Sequence, residues 1–219
     1  MSRSLFARAA TTLAAALFTG VALAAPVDDA VAELQHEWEA IRYRTPTAQH
    51  AERFEALAGK AHKVVEANPN RAEPLIWNGI IVSTLAGAKG GLGALSLAKD
   101  AKAMYEQALK LNPNALDGSA YNSLAVLYYK VPSWPIGFGD KAKAKELLDK
   151  AVAINPKGID ANFFYGEYLV ETGKPAEAVA FLERSLAAPA RAGREVADAG
   201  RRDEAKALLD KVRAQVAAR

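Results

Sequence analysis

The sequence of 219 residues contains no cysteine. This absence excludes disulfides, thiolate metal ligands, cysteine nucleophiles and a lipid anchor on an N-terminal cysteine. Histidine is scarce as well: His36, His50 and His62 are never four residues apart, so no helical zinc-binding pair is present. We therefore expect no metal site.

Sequence fingerprints of catalysis are also missing. There is no Gly-x-Ser-x-Gly motif, no P-loop and no dinucleotide fingerprint. Gly90, Gly91 and Gly93 superficially resemble a phosphate loop, but no strand pattern precedes them and no Gly-Lys-Ser/Thr follows. We expect a protein that is not an enzyme, with no catalytic residue and no cofactor.

Neither sign of charge dominates. The chain has 28 Lys and Arg against 25 Asp and Glu, and two of the arginines, Arg3 and Arg8, precede the N-terminal apolar run. The rest of the chain is therefore close to neutral. Without a strong basic excess, we expect neither a nucleic acid nor an anionic membrane surface as a partner.

The N-terminal apolar run spans residues 9–23, interrupted by threonines and Gly20. It ends in Ala22-Leu23-Ala24, the small-x-small pattern of a signal-peptidase site. The alternative is a membrane anchor, but the run is shorter than the ~20 residues that a membrane-spanning helix needs. We expect residues 1–24 to be a signal peptide cleaved after Ala24, and the mature chain 25–219 to be periplasmic, without a membrane span.

An internal repeat dominates the rest of the sequence. Asn-Pro pairs occur at 68–69, 112–113 and 155–156, and small and apolar residues precede each pair at one helical spacing. The residue before a proline is disfavoured in the α region, so each pair predicts the end of a helix. The three copies are Leu57, Ala61, Val64 and Val65; Ala101, Tyr105, Ala108 and Leu109; and Ala144, Leu148, Ala151 and Val152.

This spacing resembles the second helix of the tetratricopeptide repeat (TPR). Tyr121, Leu124, Ala125 and Tyr128 resemble the first helix of the same repeat, and so do Tyr165 and Gly166. The resemblance implies an all-α fold, a TPR-like α-solenoid of about four helical hairpins plus a C-terminal capping helix. We expect repeats at about 27–69, 71–113, 114–156 and 157–190, with the cap at 191–219.

Two segments depart from the regular repeat. Residues 86–95 lengthen the second repeat by about ten residues, and their four glycines predict a loop. Residues 131–140 interrupt the third repeat and contain Trp134 and Phe138. Exposed aromatic residues in a loop favour binding. The alternative is that both side chains fill a gap between helices.

Candidate binding residues follow from the geometry of such stacks, in which the first helix of each repeat lines the concave face. Polar and aromatic side chains there suit an amphipathic groove for a peptide or a small organic ligand. The alternative is that they are ordinary repeat surface and core. With the two loop residues, the candidates are Asn122, Tyr129, Lys130, Trp134, Phe138, Phe163 and Glu167.

A narrower resemblance covers residues 121–169 and 194–209, which are similar to the helical periplasmic T component of TRAP transporters. That resemblance implies a homo-oligomer and a periplasmic substrate-binding protein as partner. This chain departs from the group because it lacks a lipoprotein cysteine. The resemblance assigns no residue-level functional motif to this sequence.

Together these patterns predict a periplasmic, non-enzymatic TPR adaptor that binds a protein or peptide on its concave face, accessory to a TRAP-type solute transport system. A second hypothesis is a small-molecule carrier whose pocket is closed by the 86–95 and 131–140 insertions. A third is an architectural scaffold for an envelope assembly.

Overall fold

The computed structural model describes residues 25–218, so the signal peptide expected over residues 1–24 lies outside the described part. Within that part there is no strand, and an isolated bridge joins Ser133 to Gly139. The α-helices are α1 Ala25–Arg44, α2 His50–Ala67, α3 Ala72–Lys89, α4 Gly91–Leu111, α5 Ser119–Lys130, α6 Lys141–Ile154, α7 Ile159–Glu171, α8 Pro175–Leu186 and α9 Glu195–Ala217. None of them is long and apolar enough to cross a membrane.

The helices end where the Asn-Pro pairs predict. α2, α4 and α6 each stop at the residue before an Asn-Pro pair. Asn112 has left the helical region, with φ −155° and ψ 102°, as expected of a residue that precedes proline. Asn68 also donates a side-chain hydrogen bond to the Val64 carbonyl, 2.8 Å away, which satisfies one of the free carbonyls at the end of α2.

Consecutive helices pack as four hairpins, α1/α2, α3/α4, α5/α6 and α7/α8, followed by α9. The all-α solenoid predicted from the sequence is confirmed. Glycines allow the close approach within two hairpins. A Cβ at Gly79 would lie 2.5 Å from the Tyr105 ring, and one at Gly166 would lie 2.8 Å from Leu182.

The prediction of a loop at 86–95 was wrong. α3 continues to Lys89 and α4 begins at Gly91, so only Gly90, with φ 62°, separates the two helices. The additional residues lengthen both helices instead of forming a loop. Glycine costs an exposed helix only about 1 kcal/mol, and burial of Leu85 and Ala98 in the long α3–α4 contact outweighs that cost.

The last helix has a role beyond that of a cap. α9 spans Glu195–Ala217, within the cap expected over residues 191–219. Glu195 and Asp198 lie in its first turn, where carboxylates are favourable. α9 packs against α7 and α8 on one side and against α1 on the other.

The contact between α9 and α1 turns the solenoid into a ring. Helices α1, α3, α5, α7 and α9 each contact the next, and the last contacts the first. We call these five helices the inner ring. The outer helices α2, α4, α6 and α8 each pack against their hairpin partner and against the next helix in the chain.

Candidate functional site

The inner ring surrounds a cavity of about 1310 Å³, here called the inner cavity. Every helix of the inner ring contributes to its wall, together with the first two turns of α2 and with residues of α4 between Gly91 and Tyr105. The wall is mixed in character, with aromatic rings next to charged side chains. The aromatic members include Trp38, Tyr43, Trp77, Tyr105, Phe163 and Phe164.

The aromatic part of the wall is held rigidly. Trp38 meets Trp77 edge to face with ring centroids 6.0 Å apart, and its Nε1 donates to Thr84 Oγ1 at 3.0 Å. Tyr105 is fully buried in the wall behind Gly79, and its hydroxyl lies 3.1 Å from Ser83 Oγ. The Trp38 and Trp77 rings, fixed in this way, offer apolar surface to a ligand at a low entropic cost.

The contact between α1 and α9, together with the chain just before α9, forms what we call the seam. Arg42 in α1 pairs with Glu204 in α9 at 2.8 Å, and Arg194 pairs with Glu39 at 3.3 Å. His36 Nε2 lies 2.9 Å from the Gly193 carbonyl oxygen. Unlike the helix contacts within hairpins, the seam is formed mainly by polar groups.

Behind the seam, one carboxylate joins two arginines. Asp160 in α7 accepts hydrogen bonds from Arg191 and Arg201, both at 2.8 Å. Arg201 also lies 4.5 Å above the rings of Phe163 and Phe164. Burial alone would raise the pKa of the Asp160 carboxyl, but the two guanidiniums outweigh it and hold the pKa below its ordinary value. The carboxylate therefore stays charged and holds α7 to α9.

Four of the predicted site residues, Asn122, Lys130, Phe163 and Glu167, lie on the cavity wall. Lys130 Nζ lies 3.0 Å from Glu167. Tyr129 is buried just behind the wall and donates its hydroxyl proton to Glu167 at 2.6 Å. Burial, together with the Glu167 carboxylate, raises the pKa of Tyr129 well above its ordinary value. This tyrosine is therefore a fixed hydrogen-bond donor, not a base.

The two loop candidates lie apart from this group, and neither is on the cavity wall. Phe138 is partly buried, and its ring meets that of Tyr128 edge to face at 5.7 Å. Trp134 is 86% exposed and packs against little of the chain. The gap-filling interpretation thus describes Phe138 but not Trp134. The loop reaches the cavity through Pro132 and Ile136 instead.

Sequence reasoning missed two features of the site. One is the set of seam residues, which have no local signature because they are distant in the sequence. The other is the turn before α5, which carries Leu116 and Asp117 on the cavity wall. Its signal was available, since α5 begins seven residues after Asn112, whereas α3 and α7 begin four residues after Asn68 and Asn155.

The histidines have structural surroundings. His36 is bonded in the seam, His50 Nε2 lies 2.9 Å from the Thr45 carbonyl oxygen, and His62 is 3.4 Å from Glu66 on the surface of α2. Among residues 25–218, no group of three His, Asp or Glu side chains is arranged to hold a metal ion.

A family model and one solved structure agree with this architecture, and a second solved structure is less similar. Residues 136–197 match the family model described as tetratricopeptide repeat. A thermophilic TPR protein from Thermus thermophilus is 21% identical, with a TM-score of 0.54 over 85% of this chain and 89% of that one. A MamA structure from Desulfovibrio magneticus is 15% identical, with a TM-score of 0.44 over 86% of this chain and 97% of that one. No curated protein matches the sequence.

Proposed function

For a chain with a tetratricopeptide repeat over residues 136–197 and the tetratricopeptide-repeat fold along its described length, we propose the function of a non-enzymatic adaptor. In this proposal the inner cavity holds a segment of a partner protein. TPR domains commonly bind protein partners. The observation that carries the proposal is that every helix of the inner ring contributes to the wall of one cavity.

The size and character of the cavity support a polypeptide segment. Typical pockets for small molecules measure about 300–1,000 Å³, and this cavity of about 1310 Å³ is larger. Its wall combines rigid rings such as Trp77 with hydrogen-bonding groups such as Asn122. A peptide, whose backbone is polar and whose side chains vary, uses both kinds of surface.

The proposed compartment is the periplasm, on the strength of the leader pattern in residues 1–24. The proposed link to a TRAP-type transport system depends on the resemblance of residues 121–169 and 194–209. Fractionation of cells expressing the full-length chain, compared with a chain lacking residues 2–24, tests the compartment. Copurification with a periplasmic substrate-binding protein from the native host tests the transport link.

The binding site itself is tested by photo-cross-linking in the native host. A photoreactive amino acid at Ala207, which is exposed on the cavity wall, is compared with one at Ala180, which is exposed on α8 away from the cavity. We expect one partner to be captured from position 207 and not from position 180. The bulky substitution Ala207→Trp should prevent association with that partner, and Ala180→Trp should not. Equal capture at both positions would refute the proposal.

A second candidate function is a small-molecule carrier, and the seam favours it because a closed ring shields its interior better than an open groove. The carrier expected from the sequence has a pocket closed by the 86–95 and 131–140 insertions, and residues of both insertions lie on the cavity wall, although residues 86–95 are almost entirely helical and do not form a loop. Native mass spectrometry of the protein purified from its own compartment separates the two functions. A retained mass of a few hundred daltons, absent from Ala207→Trp, would favour the carrier.

A further inference from the structure

The turn that precedes α5 has an unusual backbone. Leu116, Asp117 and Gly118 all have positive φ angles, of 48°, 55° and 77°. Glycine adopts this left-handed region freely, but leucine and aspartate do so only at a cost in free energy. Residues held in such a conformation concentrate at functional sites, where the surrounding structure maintains the strain.

These three residues also account for the additional length of this turn relative to the turns that precede α3 and α7. α3 and α7 begin four residues after the asparagine of their Asn-Pro pair, and α5 begins seven residues after Asn112. The fold therefore does not need the longer turn to start a helix. Its effect is to place Leu116 and Asp117 on the wall of the inner cavity, where both are exposed.

The charges on the wall make Asp117 distinctive. The five basic wall residues are all paired with acids: Arg42 with Glu204, Lys130 with Glu167 and Glu171, Arg191 with Asp160 and Asp198, Arg194 with Glu39, and Arg201 with Asp160 and Glu204. Asp117 has no ion-pair partner among the described residues. The other acids of the wall, Asp160, Glu167 and Glu204, are all paired with these cations.

A second acceptor lies on the same wall without a partner. Asn122 is one of the residues that line the wall, although it is only 5% exposed, and its Oδ1 is itself buried and makes no hydrogen bond within the described chain. A buried carbonyl oxygen without a partner is costly, and a turn of this side chain toward the cavity would let the oxygen meet a donor there. Asn122 lies on α5, five residues after Asp117.

We propose that the inner cavity selects a partner segment carrying a lysine or arginine side chain, with Asp117 as the counter-ion and Asn122 as a further acceptor. An ammonium or guanidinium group supplies both a positive charge and several N–H donors, which is what these two acceptors lack. Leu116 gives apolar contact to the stem of the same side chain. This inference rests on the proposed function, because it names the chemistry of the segment that the cavity holds.

A purely structural role explains less of the site. Asp117 precedes α5 by two residues, and a carboxylate near a helix N-terminus is stabilising. That role accounts for the charge alone. It gives no reason for three additional left-handed residues, for an exposed leucine beside the carboxylate, or for the unpartnered Oδ1 of Asn122.

The test uses blocked nonapeptides, acetylated and amidated, with randomised flanks and a fixed central residue that is lysine, arginine, norleucine or glutamate. Binding of the chain 25–219 to each pool is measured by fluorescence polarisation. We expect the lysine and arginine pools to bind at least tenfold more tightly than the norleucine pool, and the glutamate pool to bind most weakly. Asp117→Asn should remove most of the preference, and Asp117→Lys should reverse it.

Two controls separate the possible failures. Asparagine tolerates left-handed φ angles, so Asp117→Asn preserves the turn, and circular dichroism checks that the helices remain. Glu52→Gln, at an exposed acid of α2, should leave every affinity unchanged. Ala207→Trp should weaken binding of all pools.

Each outcome decides between the two ideas. The proposed function fails, and this inference with it, if no pool binds the unaltered chain. It fails also if the Ala207→Trp variant binds the pools as tightly as the unaltered chain does. If Ala207→Trp weakens binding but the lysine and norleucine pools bind equally, the inference is wrong while the proposed function stands. The same holds if Asp117→Asn keeps the preference for the lysine and arginine pools.

Discussion

The ring of Tyr43 in α1 lies directly against the backbone of Gly200 in α9. A Cβ at residue 200 would lie 2.7 Å from Tyr43 Cγ, and nearer still to two other ring carbons. The two residues are close to opposite ends of the described chain. Their contact, together with the ion pair between Arg42 and Glu204, closes the inner ring. The cavity is therefore a property of the whole chain and of no single repeat.

The first prediction concerns this contact. Alanine normally stabilises a helix by about 1 kcal/mol relative to glycine, but Gly200→Ala would force the Tyr43 ring out of the seam. We expect a net loss of about 1–2 kcal/mol, since overpacking typically costs ~1–3 kcal/mol. In a Tyr43→Ala background, where the ring is gone, the same change should stabilise. Urea denaturation of the four proteins measures this, and equal effects in both backgrounds would contradict it.

The second prediction contrasts two helical glycines. Gly79 faces the fully buried Tyr105, with only 2.5 Å available for a Cβ, whereas a Cβ at Gly59 would meet nothing within 4 Å. We expect Gly79→Ala to lower the free energy of unfolding by about 2–3 kcal/mol and Gly59→Ala to raise it by about 0.5–1 kcal/mol. Thermal denaturation should thus shift in opposite directions for the same chemical change. A stabilised Gly79→Ala would show that the α3–α4 contact is looser than described.

The order of the helices was predictable because local sequence specifies it. The Asn-Pro pairs recur at nearly constant spacing and end α2, α4 and α6, so these hairpins followed from the sequence. The length of α3 and α4 was not predictable in this way. Several glycines favour a loop locally, and only the tertiary contact between the two helices overrides that preference.

The site was predictable only in part, for a similar reason. Asn122, Lys130, Phe163 and Glu167 were predicted to face the concave side because of their positions on α5 and α7, and they do lie on the cavity wall. The seam was missed because His36 and Gly193 are 157 positions apart in the sequence, and no local pattern encodes such a contact. Asp117 was missed because the additional residues were not compared between turns. Trp134 was predicted to be a binding residue because it is an exposed aromatic in a loop, yet it does not lie on the cavity wall.

The third prediction is a pH dependence. The pKa of Asp160 lies below its ordinary value of ~3.9. Its ionised form therefore contributes stability that is complete above about pH 5 and is lost as the pH falls through the folded pKa. We expect the difference in stability between the unaltered chain and Asp160→Asn to be large at pH 7 and to shrink steadily below about pH 4.

The measurement for Asp160 is urea denaturation at several pH values. Asp210→Asn serves as the control, since Asp210 is an exposed partner of Lys206 on α9. Such surface pairs contribute at most about 1 kcal/mol. A difference between the unaltered chain and Asp160→Asn that stays constant from pH 7 to pH 3 would mean that Asp160 is not held in its charged form by Arg191 and Arg201.

The fourth prediction separates the two aromatic residues of the 131–140 loop. Trp134→Ala should change the free energy of unfolding by less than about 0.5 kcal/mol, because the side chain is almost fully exposed. Phe138→Ala should cost about 2 kcal/mol, because its ring packs on Tyr128. Thermal denaturation distinguishes them. If Trp134→Ala also weakens capture of the partner, this loop belongs to the binding surface outside the cavity.

The last prediction compares two leucines of similar exposure. Leu116 is 36% exposed with φ 48°, and Leu111 is 42% exposed at the end of α4. Glycine at 116 relieves a left-handed strain of about 1–2 kcal/mol but adds freedom to the unfolded chain, costing ~0.5–1 kcal/mol. We expect Leu116→Gly to leave stability unchanged or raise it by up to about 1 kcal/mol, and Leu111→Gly to lower it by about 1 kcal/mol.

Peptide binding should be weakened by the substitution that does not lower stability. Leu116 lies on the wall of the inner cavity and Leu111 does not. Only Leu116→Gly should therefore lower the affinity for the lysine-containing peptides. A protein that becomes no less stable but binds less well would show that leucine is kept in a strained turn for its contact with the ligand. If Leu116→Gly destabilises as much as Leu111→Gly and binds unchanged, the left-handed turn serves the fold, because the leucine then contributes packing that glycine cannot replace.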